Sequence, residues 1–182
     1  AMDAPWQVAA RTDYTGRTLE NRGLVRVDLT AAAKETGRVF LKLEDSIKSD
    51  GWGAYLTSLR LLGTRDGKPL DVTVRAGTAE EGELIYRDTG SGVSGEGRFV
   101  DGTRELVYLL RFDPGTRAAA VLDIGNQYVV SVAPAPADIV AGLKPAEASA
   151  LGAALGEVST AGVAPLIAYR DLGGRPALMA GL

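Results

Sequence analysis

The sequence predicts an all-β fold of two packed antiparallel sheets, and three observations carry that prediction. Period-two alternation recurs along the chain, as in Val25, Val27, Leu29 and in Val39, Leu41, Leu43, which places each set on one face of an extended backbone. Turn-forming residues punctuate these runs, as at Asp66-Gly67 and Asp113-Pro114-Gly115-Thr116. Hydrophobic residues make up 46% of the 182 positions, and a single sheet would leave their stripes in water. One domain over residues 1–182 is expected.

The clearest stretch spans residues 104–128. Leu106, Tyr108, Leu110 and Phe112 share one face, and Ala118, Ala120, Leu122 and Ile124 repeat the period after the turn. A β-hairpin is the reading these signals suggest. Bulky inner residues on the first strand and small ones on the second imply that something large lies over Ala118 and Ala120.

In chain order, residues 1–23 read as a short edge strand and a loop, with Trp6 as the anchor. Residues 24–29 are a half-buried strand whose Arg26 and Asp28 face water. Residues 30–35 have the composition of one helical turn capped by Thr30 and ended by Gly37. Residues 39–44 form another strand, and residues 45–53 a loop rich in hydrogen-bonding groups. Flanking glycines and the Asp66-Gly67 turn favour a strand over a helix for residues 54–63. Strands follow at 70–75, inward at Leu70, Val72 and Val74, and at 82–87, inward at Leu84 and Tyr86, with 77–81 connecting them. Gly90, Gly92, Gly95 and Gly97 mark 88–97 as a flexible surface loop. Beyond the strand at 129–132, a Pro/Ala-rich insert at 133–157 is expected to hold one or two short helices, followed by a strand at 163–171 and an apolar tail at 173–182.

The absences exclude whole classes of chemistry. With no His and no Cys in the chain, Ser-His-Asp triads, Cys-His dyads, thiolate nucleophiles and the usual zinc sites cannot form. Carboxylate, Lys and Tyr chemistry remain. A net charge of −3 gives no positive field for a polyanion, so nucleic acid is not an expected partner. No run approaches the roughly 18 apolar residues that would span a bilayer. Ala1-Met2-Asp3 reads as a cloning remnant rather than a signal peptide.

The strand Tyr108-Leu109-Leu110-Arg111-Phe112-Asp113-Pro114 and the following Val121-Leu122-Asp123-Ile124-Gly125 resemble a late strand pair of the concanavalin A-like lectins of the laminin-G, pentraxin and sialidase-lectin kind. The opening strand before a helical turn and the closing Ile167-Ala168-Tyr169-Arg170-Asp171 are similar in placement to sialidase lectin domains. Two departures stand out: Ile124 separates an Asp and a Gly that the family joins, and the 133–157 insert is foreign to it. The resemblance covers roughly residues 3–172 and implies a jelly-roll β-sandwich that binds carbohydrate. It further implies an extracellular or periplasmic module of a larger, bacterial glycan-active or cell-surface protein.

Candidate site residues sit in the 45–53 loop and just beyond it. Trp52 and Tyr55 offer aromatic faces to a sugar, and Asp45 and Asp50 offer acceptors to its hydroxyls. The competing reading places Trp52 in the core and gives both Asp residues to turns. Asp88-Thr89-Gly90-Ser91 matches the aspartic-protease signature, but polar Arg87 precedes it where that chemistry needs apolar strand, so a surface turn is the expectation. Asp123 and Asn126 are candidate calcium ligands as well as ordinary turn formers. The outward Asp28, Glu44, Asp71 and Glu105 are spaced like a solvated face rather than a glycosidase pair. The expected function is therefore non-catalytic carbohydrate binding. A structural or assembly module of a virion or surface layer, contacting protein or another copy through loops or the tail, is the alternative.

Overall fold

The computed structural model describes residues 2–14 and 22–141, all within the unit Ala1–Lys144. The expected strand at 163–171, the tail at 173–182 and the insert from 142 onward lie outside the described residues. Among the described residues eleven strands and one short helix follow one another: β1 (Gln7–Asp13), β2 (Gly23–Asp28), β3 (Arg38–Glu44), β4 (Gly53–Arg65), β5 (Lys68–Arg75), α1 (Ala79–Leu84), β6 (Ile85–Asp88), β7 (Gly92–Ser94), β8 (Gly97–Asp101), β9 (Glu105–Arg111), β10 (Ala119–Gly125) and β11 (Gln127–Pro134). One sheet runs β1-β11-β3-β9-β6, the other β2-β10-β4-β8-β7, with β5 paired to β4. Every strand pairing is antiparallel.

The pairings are nested. Gln7 pairs Val132, Leu24 pairs Asp123, Val39 pairs Leu110 and Ala54 pairs Val100. Within the described residues, the earlier and later strands thus run alongside each other like one long antiparallel ribbon, rolled so that successive segments fall in alternate sheets. This is jelly-roll topology, and the all-β sandwich expected from the sequence is the architecture observed.

The stretch expected to form a hairpin does not. β9 pairs with β3 and β6 in one sheet, whereas β10 pairs with β2 and β4 in the other. The turn chemistry is present: Thr116 donates through both its backbone N–H and its hydroxyl to Asp113 O, at 3.4 and 2.7 Å. Its flanks, however, are claimed elsewhere, since Phe112 N donates to Gly37 O and Ala118 O accepts from Leu29 N, each at 2.8 Å. Phe112 and Ala118 are both buried between the sheets, so the segment arches across the core.

Inner-face residues Val39, Leu41, Leu43, Leu106, Tyr108 and Leu110 meet Leu56, Leu59, Leu61, Ala120 and Leu122 in the central core. Of the expected buried set, Val27, Val39, Leu41, Val74, Leu110 and Leu122 are buried and Val25 is half-buried. Val72 is 39% exposed, because β5 bonds to β4 alone among the described strands. The outer face of β3 and β9 is also covered. Phe40, Val107, Leu109 and Ala133 pack with Trp6, Tyr86 and Ile139, and the Phe40 ring lies 6.2 Å from Trp6 and 5.0 Å from Tyr86. Trp6 anchors the N-terminal segment there, with Lys42 Nζ 4.4 Å above its ring.

Three local expectations differ from the structure. Thr30 does not cap the turn at 30–36: its hydroxyl donates to Ala118 O and accepts from Ala118 N, while Asp28 Oδ1 accepts from Thr30 N. Residues 79–84, expected as connection and strand, form α1. Thr78 accepts from Glu81 N and the Glu81 carboxylate reaches back to Gly77 N at 2.8 Å, a variant of the capping box that Thr78-Ala79-Glu80-Glu81 spells in sequence, with the carboxylate bonded one residue before the N-cap. The strand then begins at Ile85. The glycine-rich 88–97 stretch is partly ordered as β7, hairpinned to β8.

Candidate functional site

The first half of β4 and the short strands β7 and β8 bring aromatic residues together at one end of the second sheet. Register sets Tyr55 opposite Phe99 and Gly53 opposite Asp101, and Phe99 in turn opposite Gly92. Trp52, immediately before β4, meets Phe99 edge-on with ring centroids 5.5 Å apart. Tyr55 and Phe99 are 6.3 Å apart. The Tyr55 ring lies directly over Gly97, where a Cβ would come within 2.3 Å of its Cζ, and the Tyr55 hydroxyl donates to Ser94 O at 3.0 Å. Gly97 is therefore the one residue type that lets the ring lie flat on the β7–β8 hairpin.

These rings line a cleft of about 710 Å³, bounded also by Val93, Asp101, Arg104 and Asn126 and by the backbone of Gly90, Gly92 and Gly95. The size matches that of small-molecule pockets, which are mostly apolar with a few polar groups fixing orientation. Asp101 and Arg104 form an ion pair, and the Arg104 side chain lies across Gly90, where a Cβ would be 2.9 Å from Nε. Trp52 Nε1 is a buried donor without a hydrogen-bond partner among the described residues.

Of the four residues nominated from the sequence, Trp52 and Tyr55 line this cleft and Asp45 and Asp50 do not. Asp45 is 1% exposed. Its Oδ1 accepts from Ile47 N and its Oδ2 from Gly102 N, both at 2.9 Å. Asp50 Oδ1 accepts from Trp52 N at 3.1 Å. Gln127, fully buried, gathers the loop: its Nε2 lies within 2.8–3.4 Å of Asp45 Oδ1, Ile47 O, Asp50 Oδ1 and Trp52 O. An amide has two N–H groups for these four acceptors, and it pins both carboxylates to one point. Asp45 and Asp50 thus shape the loop that presents Trp52. Sequence reasoning missed Phe99, Asp101 and Arg104, which come from segments far along the chain and join the site only through the β4–β8 register.

Next to the cleft's glycine rim lies a buried polar network. Arg98 grips Glu81 with two bonds of 2.7 Å and donates to Ser91 Oγ at 2.9 Å. Tyr108 OH donates to Glu81 Oε2 at 2.6 Å. Burial alone would raise the Glu81 pKa, but the bonds from Arg98, Tyr108 and Gly77 outweigh it and hold the carboxyl below its ordinary value. The Tyr108 phenol is pushed well up, by burial first and by the Glu81 charge second. Both Glu81 oxygens are occupied by donors, so the group acts as a fixed anion that anchors α1 to β8 and β9.

Asp88, of the protease-like tetrapeptide, accepts from Gly90 N, Ser91 N and Ser91 Oγ at 2.7–3.0 Å. It builds a surface turn, as the sequence suggested. Asp123, one calcium candidate, pairs with Arg22 at 3.3 Å, and Asn126, the other, adopts φ +67°. Among the described residues no group of three carboxylates could hold a metal ion. No helix among the described residues is long and apolar enough to cross a membrane. No family model, curated protein or solved structure matches the chain.

Proposed function

We propose that this protein is a non-catalytic carbohydrate-binding module, lectin-like in the concanavalin A sense, working outside the cytoplasm as part of a larger glycan-active or cell-surface protein. The observation that carries the reading is the contiguous Trp52, Phe99 and Tyr55 surface beside the Asp101–Arg104 pair in one cleft. Pyranose rings stack their C–H faces on such aromatic surfaces, while a carboxylate and a guanidinium exchange hydrogen bonds with ring hydroxyls. Among the described residues the one carboxylate lining the cleft, Asp101, is tied to Arg104, an arrangement suited to binding rather than to the paired acid and base of glycoside hydrolysis. A glycan array tests it: specific signals should appear, and Tyr55→Ala should weaken them at least tenfold.

Assembly through sheet edges is the second reading. β1 and β2 are edge strands carrying Val8 at 64% and Leu24 at 75% exposure, the kind of edge that pairs with another chain. A blank glycan array together with concentration-dependent oligomers in analytical ultracentrifugation would select it.

A further inference from the structure

A second cleft, of about 340 Å³, lies where the start of β3 and the ends of β4 and β9 meet, and Arg38, Arg65 and Arg111 all line it. β4 runs from Gly53 beside the aromatic cleft to Arg65 here, a span of about 40 Å at strand rise, so the two clefts occupy opposite ends of the sandwich. Arg38 and Arg111 are direct cross-strand partners, a like-charge pairing that costs stability unless something offsets it. Arg65 adds a third guanidinium by donating from Nε and Nη2 to Arg111 O at 3.0 and 2.8 Å.

The three guanidinium groups are only partly ion-paired. Arg111 has Asp66 at 3.1 Å. Arg65 donates to a main-chain oxygen, as does Arg38, whose Nη1 bonds to Ile139 O, and among the described residues neither has a carboxylate within ion-pair distance. Burial first and Arg111 second lower the pKa of Arg65, against a partial counter-effect from Asp66 and Asp113. Glu83 stands among the lining residues, and Leu84, Leu109 and Val140 supply an apolar wall. In a chain of net charge −3 such a concentration of guanidinium beside apolar surface is the complement of one kind of ligand.

We propose that this cleft binds a small organic carboxylate, its anionic head held by the guanidinium N–H groups of Arg38 and Arg65 that the main-chain oxygens leave free, and its apolar body laid on Leu84, Leu109 and Val140. The site is separate from the aromatic cleft and does not depend on what that cleft binds. The test is a butyrate titration at constant ionic strength, with inorganic sulfate as head-group-only comparison, followed by NMR of arginine Nε–Hε and leucine methyl signals. Butyrate should give saturable shifts at Arg38 and Arg65 and move the Leu84 and Leu109 methyls, and sulfate should leave those methyls in place. Arg65→Gln and Arg38→Gln should each weaken butyrate at least fivefold, and Arg60→Gln, on the exposed Arg60–Asp71 pair, should leave it unchanged. Should Arg65→Gln fail to fold for want of its brace on Arg111, Arg38→Gln decides alone. Linear, non-saturating shifts, unweakened binding in the folded variants, or sulfate binding as tightly as butyrate would each overturn the proposal.

Discussion

Trp52 and Glu81 show how differently a half-buried ring and a buried carboxylate behave at the residue scale. Trp52 is partly exposed and leans edge-on against Phe99, so truncating it removes one aromatic contact and some apolar area but opens no deep cavity. Trp52→Ala should cost about 1–2 kcal/mol, below the roughly 3–5 kcal/mol of a fully buried aromatic, and should abolish glycan binding. Urea denaturation beside an affinity measurement checks both, and a loss of 4 kcal/mol or more, on the order of a core truncation, would reassign the side chain to the core. Glu81, 3% exposed, is bound by Arg98, Tyr108 and Gly77. Its folded pKa lies below the ordinary 4.5, so its contribution is complete above the unfolded value and is lost as pH falls through the folded one. The urea midpoint should decline below about pH 4.5. Glu81→Gln should flatten that decline and cost about 3 kcal/mol at neutral pH, because Arg98 loses its buried counter-charge.

At the scale of elements, what could be read from sequence was the period of each strand, and what could not was its partner. Residues 24–29, 39–44 and 54–63 announce their strands because alternating burial is written directly into side-chain order. Residues 104–128 announce two strands with equal clarity, yet nothing local distinguishes a hairpin from an arch. The difference arises from β3 and β2 waiting on opposite sheets, sixty or more residues earlier by the order of the chain. The helix α1 was legible in principle through Thr78 and Glu81, but its single turn and a half is too short for hydrophobic periodicity to register. The candidate site divides the same way: Trp52 and Tyr55 stand together in sequence, while Phe99 arrives through register. Gly97 is where element and site meet. Gly97→Ala would place a Cβ 2.3 Å from Tyr55 Cζ, which forces the ring off the hairpin. Stability should fall by about 1–3 kcal/mol, as for overpacking, and glycan affinity should fall with it. Retained affinity would show that Tyr55 need not lie flat to bind. Asp113 couples two turns, its Oδ1 and Oδ2 accepting from Asp66 N and Gly67 N at 2.8 and 2.9 Å. Asp113→Ala should cost about 1–3 kcal/mol, read as a lowered Tm.

For the whole molecule, nesting determines which parts are held most firmly. β3 has β11 and β9 as neighbours, β9 has β3 and β6, and both are buried on both faces for most of their length. Opening either strand breaks two ladders and exposes the inter-sheet core together with the Phe40 cluster. At the other extreme, β7 is exposed at all three of its residues, and among the described strands β7 bonds only to β8 and β5 only to β4. Local opening free energies follow the number of ladders and the apolar area lost, so they should span from near zero at the edges to the global value at the centre. Native-state hydrogen exchange should therefore find the slowest amides at Leu41, Leu43, Val107 and Leu109, which exchange only through global unfolding. Amides of β7 should exchange fastest, followed by those of β5 around Val72. A bound glycan would bridge β7, β8 and the Trp52 loop, so it should slow exchange at Val93 and Ser94 while leaving β3 and β9 unchanged. Equal protection across β7 and β9 in the free protein would contradict the nested architecture. Ligand-induced slowing confined to β3 would instead move the glycan away from the aromatic cleft.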